Sequence, residues 1–320
     1  MGPVSAQSPA PARRRRLWRI SAAFAVLIGL AVYLVVQYVT GGPGAPRCTV
    51  RAEGAEGDTA EYELTPEQAA NAATISAVAS SRGLPERAVT IALATAMQES
   101  GLRNIDFGDR DSVGLFQQRP SQDWGTVKQI MDPVYSAGEF YRHLAKVPGY
   151  SRLPLTVAAQ KVQRSGYPQA YAKHEANAAR LTGALTGRDP AALTCTQSRP
   201  VDEQAGGGAK VRERLVREFG PEVLPRGAAG AGGRGAGDER NVTVPVRPTA
   251  SGADGTAAQR GWELAAWAVA HSAELRIEQV SYAGRTWTAA DSGKGWQKKA
   301  AGSDATGRRS ADEVHIIAAQ

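Results

Sequence analysis

The chain has 320 residues, and its formal net charge of +7 arises from 38 Lys and Arg against 31 Asp and Glu. This length favours about two structural units, and the apolar fraction of 42% is enough for a packed core and argues against a wholly disordered chain. The basic balance does not indicate a nucleic-acid partner, because much of it comes from an arginine run at residues 13–16 beside an apolar segment.

The first forty residues are typical of a membrane anchor. Residues 20–36 are apolar and uncharged and follow the basic flank. With residues 37–40 they approach the ~20 residues needed to cross a bilayer. The pattern predicts a cytoplasmic tail at 1–19, a transmembrane signal anchor at 20–40, and an exported remainder. A cleaved signal peptide is the alternative, although the following "TGGPGAP" is a poor cleavage site.

The two cysteines, Cys48 and Cys195, both lie on the predicted exported side, where a disulfide persists. A bridge between them would close one long loop and bound a compact domain at 48–195. Two unrelated free thiols are the alternative interpretation.

Residues 48–195 carry successive helix signals and few strand patterns, so we expect an all-helical domain. Thr65, Pro66 and Gln68 form a helix start of the capping-box type. Gly83 and Gly101 end the first two predicted helices, and Pro133 begins a third. Two more helical segments follow: "LPLTVAAQKVQRS" and "PQAYAKHEANAARLTGAL".

The C-terminal part divides by composition. Residues 196–258 are mostly rich in Gly and Ala and predict a flexible linker that contains one short helix, "AKVRERLVREFG". Residues 259–320 predict a small α+β module with one helix and three strands. Four tryptophans concentrate in this module. We expect them to fill its core rather than form a sugar platform, and the module is a candidate site for a protein partner.

Glu99 is the candidate catalytic residue. It ends an apolar helix, where the negative end of the helix dipole and the apolar neighbours one turn back disfavour a charged carboxylate. Both effects should raise its pKa, which suits an acid that keeps its proton for a leaving group.

An ordered set of motifs surrounds Glu99. Glu99-Ser100 is followed by "GLFQ" at residues 114–117, then by Asp132-Pro133 and, further along, by Tyr141. This set resembles the lytic transglycosylase family, membrane-anchored actinobacterial type, and covers about residues 80–180. The resemblance implies a mainly α chain, with a lysozyme-like fold for residues 48–195.

The resemblance also implies a substrate and residue roles. The substrate would be peptidoglycan, and Glu99 would act as the single general acid and base on the bond between N-acetylmuramic acid and N-acetylglucosamine. Ser100 would orient Glu99, and Gln117 and Gln118 would line the substrate cleft.

The chain departs from the family at the fourth helix. Many relatives carry Ala-Tyr-Asn there, with a tyrosine that supports the catalytic Glu, whereas residues 159–161 read Ala-Gln-Lys. Gln160 could donate a hydrogen bond instead, or Tyr167 or Tyr171 could take the tyrosine's place.

Two alternatives to this function stay open. One of Asp106, Asp109 and Asp111 could activate a water, which would make the protein a hydrolase. The domain could also be a catalytically inactive module that binds peptidoglycan or serves as a scaffold. The sequence holds no ligand spacing for a metal and no nucleotide motif, so we expect neither metal nor cofactor. The expected partners are therefore peptidoglycan strands, the membrane, and a possible protein bound by the C-terminal module.

Overall fold

The structure is a computed structural model. It describes residues 24, 27–30, 45–51, 61–164, 168–197, 207–225, 240–247, 256–298 and 311–319. Residues 46–320 form one compact unit, and residues 1–45 form another. Among the described residues, no helix combines the length and apolar character needed to cross a bilayer. Most of the predicted anchor at 20–40 falls outside them.

Helices make up about half of the described chain. They are α1 (Pro66–Ser81), α2 (Glu86–Glu99), α3 (Val127–Ile130), α4 (Pro133–Leu144), α5 (Leu155–Gln163), α6 (Glu175–Leu185), α7 (Gly208–Phe219) and α8 (Ala257–Ala270). A 3-10 helix at Pro168–His174 precedes α6. Shorter 3-10 helices lie at Pro120–Gln122, Tyr150–Arg152, Pro221–Val223 and Ser292–Lys294.

Helices α1 and α2 form the centre of the helical part. The predicted capping box is present. The Thr65 hydroxyl accepts from the Gln68 backbone N–H, and the Gln68 side-chain oxygen accepts from the Thr65 backbone N–H. Nearly every residue of the middle of each helix is buried. Their small alanine side chains allow other helices to pack closely on all sides.

A three-stranded antiparallel sheet corrects the all-helical expectation. Its strands are β1 (Arg47–Arg51), β2 (Glu61–Leu64) and β3 (Leu193–Thr196), in the order β2-β1-β3. Cys48 pairs with Cys195 across β1 and β3, and the two form the predicted disulfide. The sequence analysis missed this sheet because its strands are short and β3 lies far from its partner along the chain.

A five-stranded antiparallel sheet forms the C-terminal part, in the order β4-β8-β5-β6-β7. The strands are β4 (Asn241–Pro245), β5 (Ile277–Tyr282), β6 (Arg285–Thr288), β7 (Gln297–Lys298) and β8 (Glu313–Ala318). Strand β4 lies within the segment predicted to be linker, yet Val242 and Val244 are buried. The linker prediction is wrong at this point, because β4 gains its partner from β8 at the end of the chain.

The C-terminal part packs on the helical part instead of standing apart from it. The indole nitrogen of Trp287 donates to the Cys195 carbonyl at 3.2 Å, and that of Trp296 donates to the Leu193 carbonyl at 2.9 Å. Strand β3 therefore has its outer edge capped by tryptophans of the predicted module. One hydrophobic core runs through both parts, in keeping with the expectation that the tryptophans serve packing.

A buried polar network reinforces this contact. Glu218 of α7 accepts from Thr74 of α1 at 3.0 Å and from the Trp267 indole of α8 at 2.7 Å. His271 lies 3.5 Å from the same carboxylate. Burial alone would lower the pKa of His271, but Glu218 and Glu274 outweigh it and raise that pKa. The network joins α1, α7 and α8 around the Glu218 side chain.

Gly261→Ala is expected to destabilise the protein by about 1–3 kcal/mol, through overpacking. A Cβ at Gly261, in the middle of α8, would overlap the phenol ring of Tyr282. Replacing a helical Gly by Ala normally stabilises a protein by about 0.5–1 kcal/mol. The expected change in unfolding free energy for Gly261→Ala therefore has the opposite sign to the usual one. Urea unfolding measures it, with Ala258→Gly on the exposed face of α8 as the reference. Stabilisation by Gly261→Ala would show that the ring can move aside.

Candidate active site

The candidate acid lies where α2 ends. Glu99 is the last residue of the helix, and Ser100 is its C-cap. Gly101 (φ +64°) and Leu102 (φ +61°) then adopt left-handed conformations that turn the chain away. The N–H of Leu102 donates a hydrogen bond to the carbonyl of Ala96 at 3.1 Å. The turn fixes the position from which the Glu99 side chain projects.

Ser100 ties this helix end to the loop that follows. Its buried hydroxyl donates to the Leu115 carbonyl at 2.8 Å and lies 3.2 Å from the Ala96 carbonyl. Its bond to Leu115 anchors the "GLFQ" segment directly beside Glu99. Both of these contacts are with backbone carbonyls, and the orienting role of Ser100 on the Glu99 carboxyl stays a prediction.

The Glu99 carboxyl is partly buried and hydrogen-bonded. The Tyr171 hydroxyl donates to its Oε1 at 2.7 Å, and the Gln163 side chain supplies another hydrogen bond. Burial raises the pKa of Glu99 above its ordinary value of 4.5, and the two hydrogen bonds oppose this rise only in part. The carboxyl therefore keeps its proton to a higher pH than an exposed glutamate does, and its two hydrogen bonds orient it.

Tyr171 reaches Glu99 from the 3-10 helix Pro168–His174, and its side chain is fully buried. His174, three residues later, lies with its Nε2 3.2 Å from the Gln98 side-chain oxygen. The 3-10 helix thus contacts two consecutive residues at the end of α2. The structure brings one of the two suggested tyrosines to the acid, while Tyr167 lies outside the described residues.

Gln163 was missed by the sequence analysis. It ends α5, and its amide nitrogen also donates to the Phe116 carbonyl at 2.7 Å. Gln160, the predicted donor, lies one turn earlier on the same helix. Residues three apart share a helix face, so the spacing from Gln160 could have added Gln163 as a candidate but could not have selected it.

The predicted cleft glutamines brace the loop after Glu99. Gln118 is buried, and its amide nitrogen donates to the Ser136 carbonyl of α4 at 3.0 Å. The Gln117 amide nitrogen lies 3.2 Å from the Phe107 carbonyl and 3.4 Å from that of Gly114. These contacts assign both side chains a structural use, and a sugar contact by either one stays a prediction.

Gly114 explains the first residue of "GLFQ". Its φ is +79°, and a Cβ there would lie 2.8 Å from the Ile130 carbonyl oxygen. Its N–H donates to the Ile105 carbonyl at 2.7 Å. Only glycine accommodates this backbone without strain and clash. The loop can therefore fold tightly against α3.

The loop acids differ in their surroundings. Asp111 forms an ion pair with Arg119 at 2.8 Å and accepts from the backbone N–H of Ser121. These contacts hold the pKa of Asp111 well below its usual range. Asp106 and Asp109 are exposed. Asp111, bound to Arg119, is poorly suited to serve as a base for water.

The Asp-Pro segment has a structural role in the helix start. Asp132 is the N-cap of α4 and accepts from the Val134 N–H at 3.0 Å, with Pro133 in the first turn. Asp132 also pairs with Arg217 of α7. Tyr141 is fully buried and donates to the Ile75 carbonyl at 3.0 Å. These residues place α4 against α1.

Within the part of the chain that the structure describes, no group of three or more His, Cys, Asp or Glu is arranged to hold a metal ion. A family model described as VldE, C-terminal domain, matches residues 209–309. That match runs from α7 to the segment before β8 and lies beyond Glu99. No curated protein matches the chain.

If the site cleaves glycan, as the family resemblance implies, Tyr171→Phe should lower the cleavage rate about tenfold, because one hydrogen bond that orients Glu99 is lost. The same bond lowers the pKa of Glu99, so its removal raises that pKa further. The alkaline limb of the pH–rate profile, where the acid loses its proton, should then move to higher pH. Tyr141→Phe is the control, because it also deletes a buried tyrosine hydroxyl. An unchanged limb in Tyr171→Phe would contradict the assignment.

Proposed function

We propose that the protein is a peptidoglycan lytic transglycosylase with a lysozyme-like helical domain. It cleaves the bond between N-acetylmuramic acid and N-acetylglucosamine, with Glu99 as the single general acid and base. The observation that best supports this proposal is the environment of the Glu99 carboxyl. Burial favours its protonated form while Tyr171 holds Oε1 at 2.7 Å.

The first step uses the protonated form of Glu99. With Oε1 accepting from Tyr171, the acid proton belongs on Oε2, from which it is donated to the glycosidic oxygen. The bond between that oxygen and C1 of the muramic acid breaks, and positive charge develops on C1 and its ring oxygen. The N-acetylglucosamine side leaves as an alcohol, and Glu99 becomes a carboxylate.

The second step uses that carboxylate as a base. Glu99 takes the proton of the muramic acid 6-hydroxyl while the hydroxyl oxygen bonds to C1. The product is a 1,6-anhydro ring, no water is consumed, and the acid is again protonated. Both steps use one carboxyl group, which fits a site where a single acid is partly buried and held by hydrogen bonds.

The hydrolytic alternative needs a further group to activate water. Asp111 is engaged by Arg119 and Ser121. Because both oxygens of Asp111 are engaged in this way, Asp111 is poorly placed to activate a water, which supports the one-carboxylate reaction over hydrolysis by Asp111.

Residues 159–161 read Ala-Gln-Lys where many relatives have Ala-Tyr-Asn. The missing tyrosine is the reason to consider a catalytically inactive module. Tyr171 supplies a tyrosine hydroxyl to Glu99 from a different element of the fold. The contact that the relatives' tyrosine would make therefore has a counterpart here, which supports an active enzyme.

The proposal includes a location. The basic flank and apolar run of residues 13–36 would anchor the chain in the cell membrane, with residues 46–320 facing the cell wall. The Cys48–Cys195 disulfide supports an oxidising compartment for this unit.

The test is product analysis with the purified full chain and cell-wall sacculi. Muropeptides that end in 1,6-anhydro-N-acetylmuramic acid are expected, and they are one water lighter than the reducing-end products of a hydrolase. Reducing ends alone would replace the transglycosylase by a hydrolase. Binding to sacculi without any product would favour the binding or scaffolding module.

A further inference from the structure

Helices α2 and α6 lie antiparallel, and polar contacts join them at regular steps. The Thr186 hydroxyl, at the C-cap of α6, donates to the Glu86 carboxylate at the start of α2 at 3.1 Å. The hydroxyls of Thr182 and Thr90 lie 3.0 Å apart. Each step moves four residues forward along α2 and four residues back along α6, which is about one helical turn. The two helices therefore keep one register along this interface.

The same register continues past the beginning of α6. The next positions in it are Ala94 and Ala178, which are both completely buried. The positions after them are Gln98 and His174, and the His174 Nε2 lies 3.2 Å from the Gln98 Oε1. His174 ends the 3-10 helix and is the N-cap of α6. The register thus extends into the 3-10 helix and reaches α2 one residue before Glu99.

His174 and Tyr171 lie on one face of the 3-10 helix. Such a helix has three residues per turn, so residues three apart point in the same direction. Tyr171 is fully buried, and its hydroxyl donates to the Glu99 Oε1 at 2.7 Å. The Gln98 oxygen can only accept a hydrogen bond, so the His174 Nε2 donates to it. Two consecutive residues of α2 therefore hold one face of the 3-10 helix.

We propose that His174 is a positioning residue for Glu99; the use of this contact in catalysis rests on the proposed function. By donating to Gln98, His174 holds the 3-10 helix against the end of α2. Tyr171, one turn earlier, then lies at hydrogen-bond distance from the catalytic carboxyl. In this role His174 contacts neither the substrate nor the reacting atoms, so its effect on cleavage passes through Tyr171.

The test compares glycan cleavage by the full chain and its variants. His174→Ala is expected to lower kcat about three- to fivefold with little change in KM, which is less than the loss expected for Tyr171→Phe. The alkaline limb of the pH–rate profile should move to higher pH, because the Tyr171 hydrogen bond that lowers the pKa of Glu99 is weakened. In the Tyr171→Phe background, His174→Ala should have no further effect.

Three further variants separate positioning from stability. Gln98→Met removes the acceptor at similar length and should behave as His174→Ala does. His174→Gln keeps an N–H donor and should restore most of the parental rate. Thr182→Val breaks the contact with Thr90 in the same register, farther from Glu99 along α2. It should lower the free energy of unfolding while kcat and the alkaline limb stay parental.

A measurement without substrate separates this inference from the function on which it rests. Carbon-13 NMR titration of the side-chain carboxyls in the labelled full chain gives the pKa of Glu99, whose signal is the one absent from Glu99→Gln. This pKa should rise in His174→Ala and stay parental in Thr182→Val. A rise without any cleavage by the parent overturns the proposed function alone. An unchanged pKa in His174→Ala, or rate losses of His174→Ala and Tyr171→Phe that multiply in the double variant, overturns the positioning role.

Discussion

Glu99→Gln is expected to lower the rate of glycan cleavage by a factor of about 10²–10⁴, the usual range for loss of a general acid. Glutamine has the same shape and can still accept the Tyr171 hydrogen bond, but it holds no acidic proton for the glycosidic oxygen. The release of soluble muropeptides from sacculi measures the rate. Binding to sacculi should stay close to that of the parent.

The matched control is Glu67→Gln, because Glu67 is an exposed carboxylate in the first turn of α1. It should cleave at the parental rate. Cleavage by Glu99→Gln at the rate of the Glu67→Gln protein would remove Glu99 from the mechanism. Loss of cleavage together with loss of sacculus binding would show that the substitution disturbs the cleft and not only the proton.

The stability of Glu99→Gln tests the same environment without substrate. The pKa of Glu99 is raised in the folded state, so the folded protein binds the Glu99 proton more tightly than the unfolded chain does. This favours folding below a pH of about 4.5, the unfolded value, and the advantage is lost as pH rises through the folded pKa. Glu99→Gln should therefore be more stable than the parent near neutral pH, with the difference vanishing in acid. A variant less stable than the parent at neutral pH would contradict the raised pKa.

Local signals in the sequence specified the helices well. Thr65 and Gln68 begin α1 as expected, and Gly101 lies in the turn after α2. Capping boxes and left-handed glycines act within one turn of the chain, so they can be recognised without knowledge of the tertiary fold. The positions of Glu99 and Ser100 at a helix end followed from the same signals.

The sheets could not be found in this way. Strand β3 gains its partner from β1, across a sequence separation of 147 residues at the disulfide. Strand β4 lies beside a Gly-rich segment and pairs with β8 near the C-terminus. Short strands carry little pattern of their own, and the contacts that stabilise these two come from remote parts of the chain.

The candidate site shows the same difference between local signals and remote contacts. Glu99 and its loop are local, whereas its hydrogen-bond partners come from α5 and the 3-10 helix. The sequence offered Gln160, Tyr167 and Tyr171 as candidates, and Tyr171 reaches the acid in the structure. Selecting Gln163 required knowing how α5 packs beside the Phe116 carbonyl, which depends on tertiary contacts.

Replacing both Cys48 and Cys195 by alanine is expected to cost about 2–5 kcal/mol of unfolding free energy. The bridge links β1 to β3 across 147 residues, a span that contains Glu99, Tyr171 and Gln163. A cross-link over so long a loop restricts the unfolded chain strongly, so its loss favours unfolding. Urea denaturation followed by circular dichroism measures the change.

The parent treated with a reducing agent is the matched comparison, because it loses the bridge and keeps both side chains. It should unfold at about the same urea concentration as the double alanine variant. The variant should still cleave glycan at urea concentrations below its unfolding transition. Strand β1 also pairs with β2, and Glu99 is carried by α2, which does not include either cysteine. Equal unfolding free energies for the variant and the oxidised parent would contradict the prediction, because they would show that the disulfide adds no stability to the β1–β3 pairing.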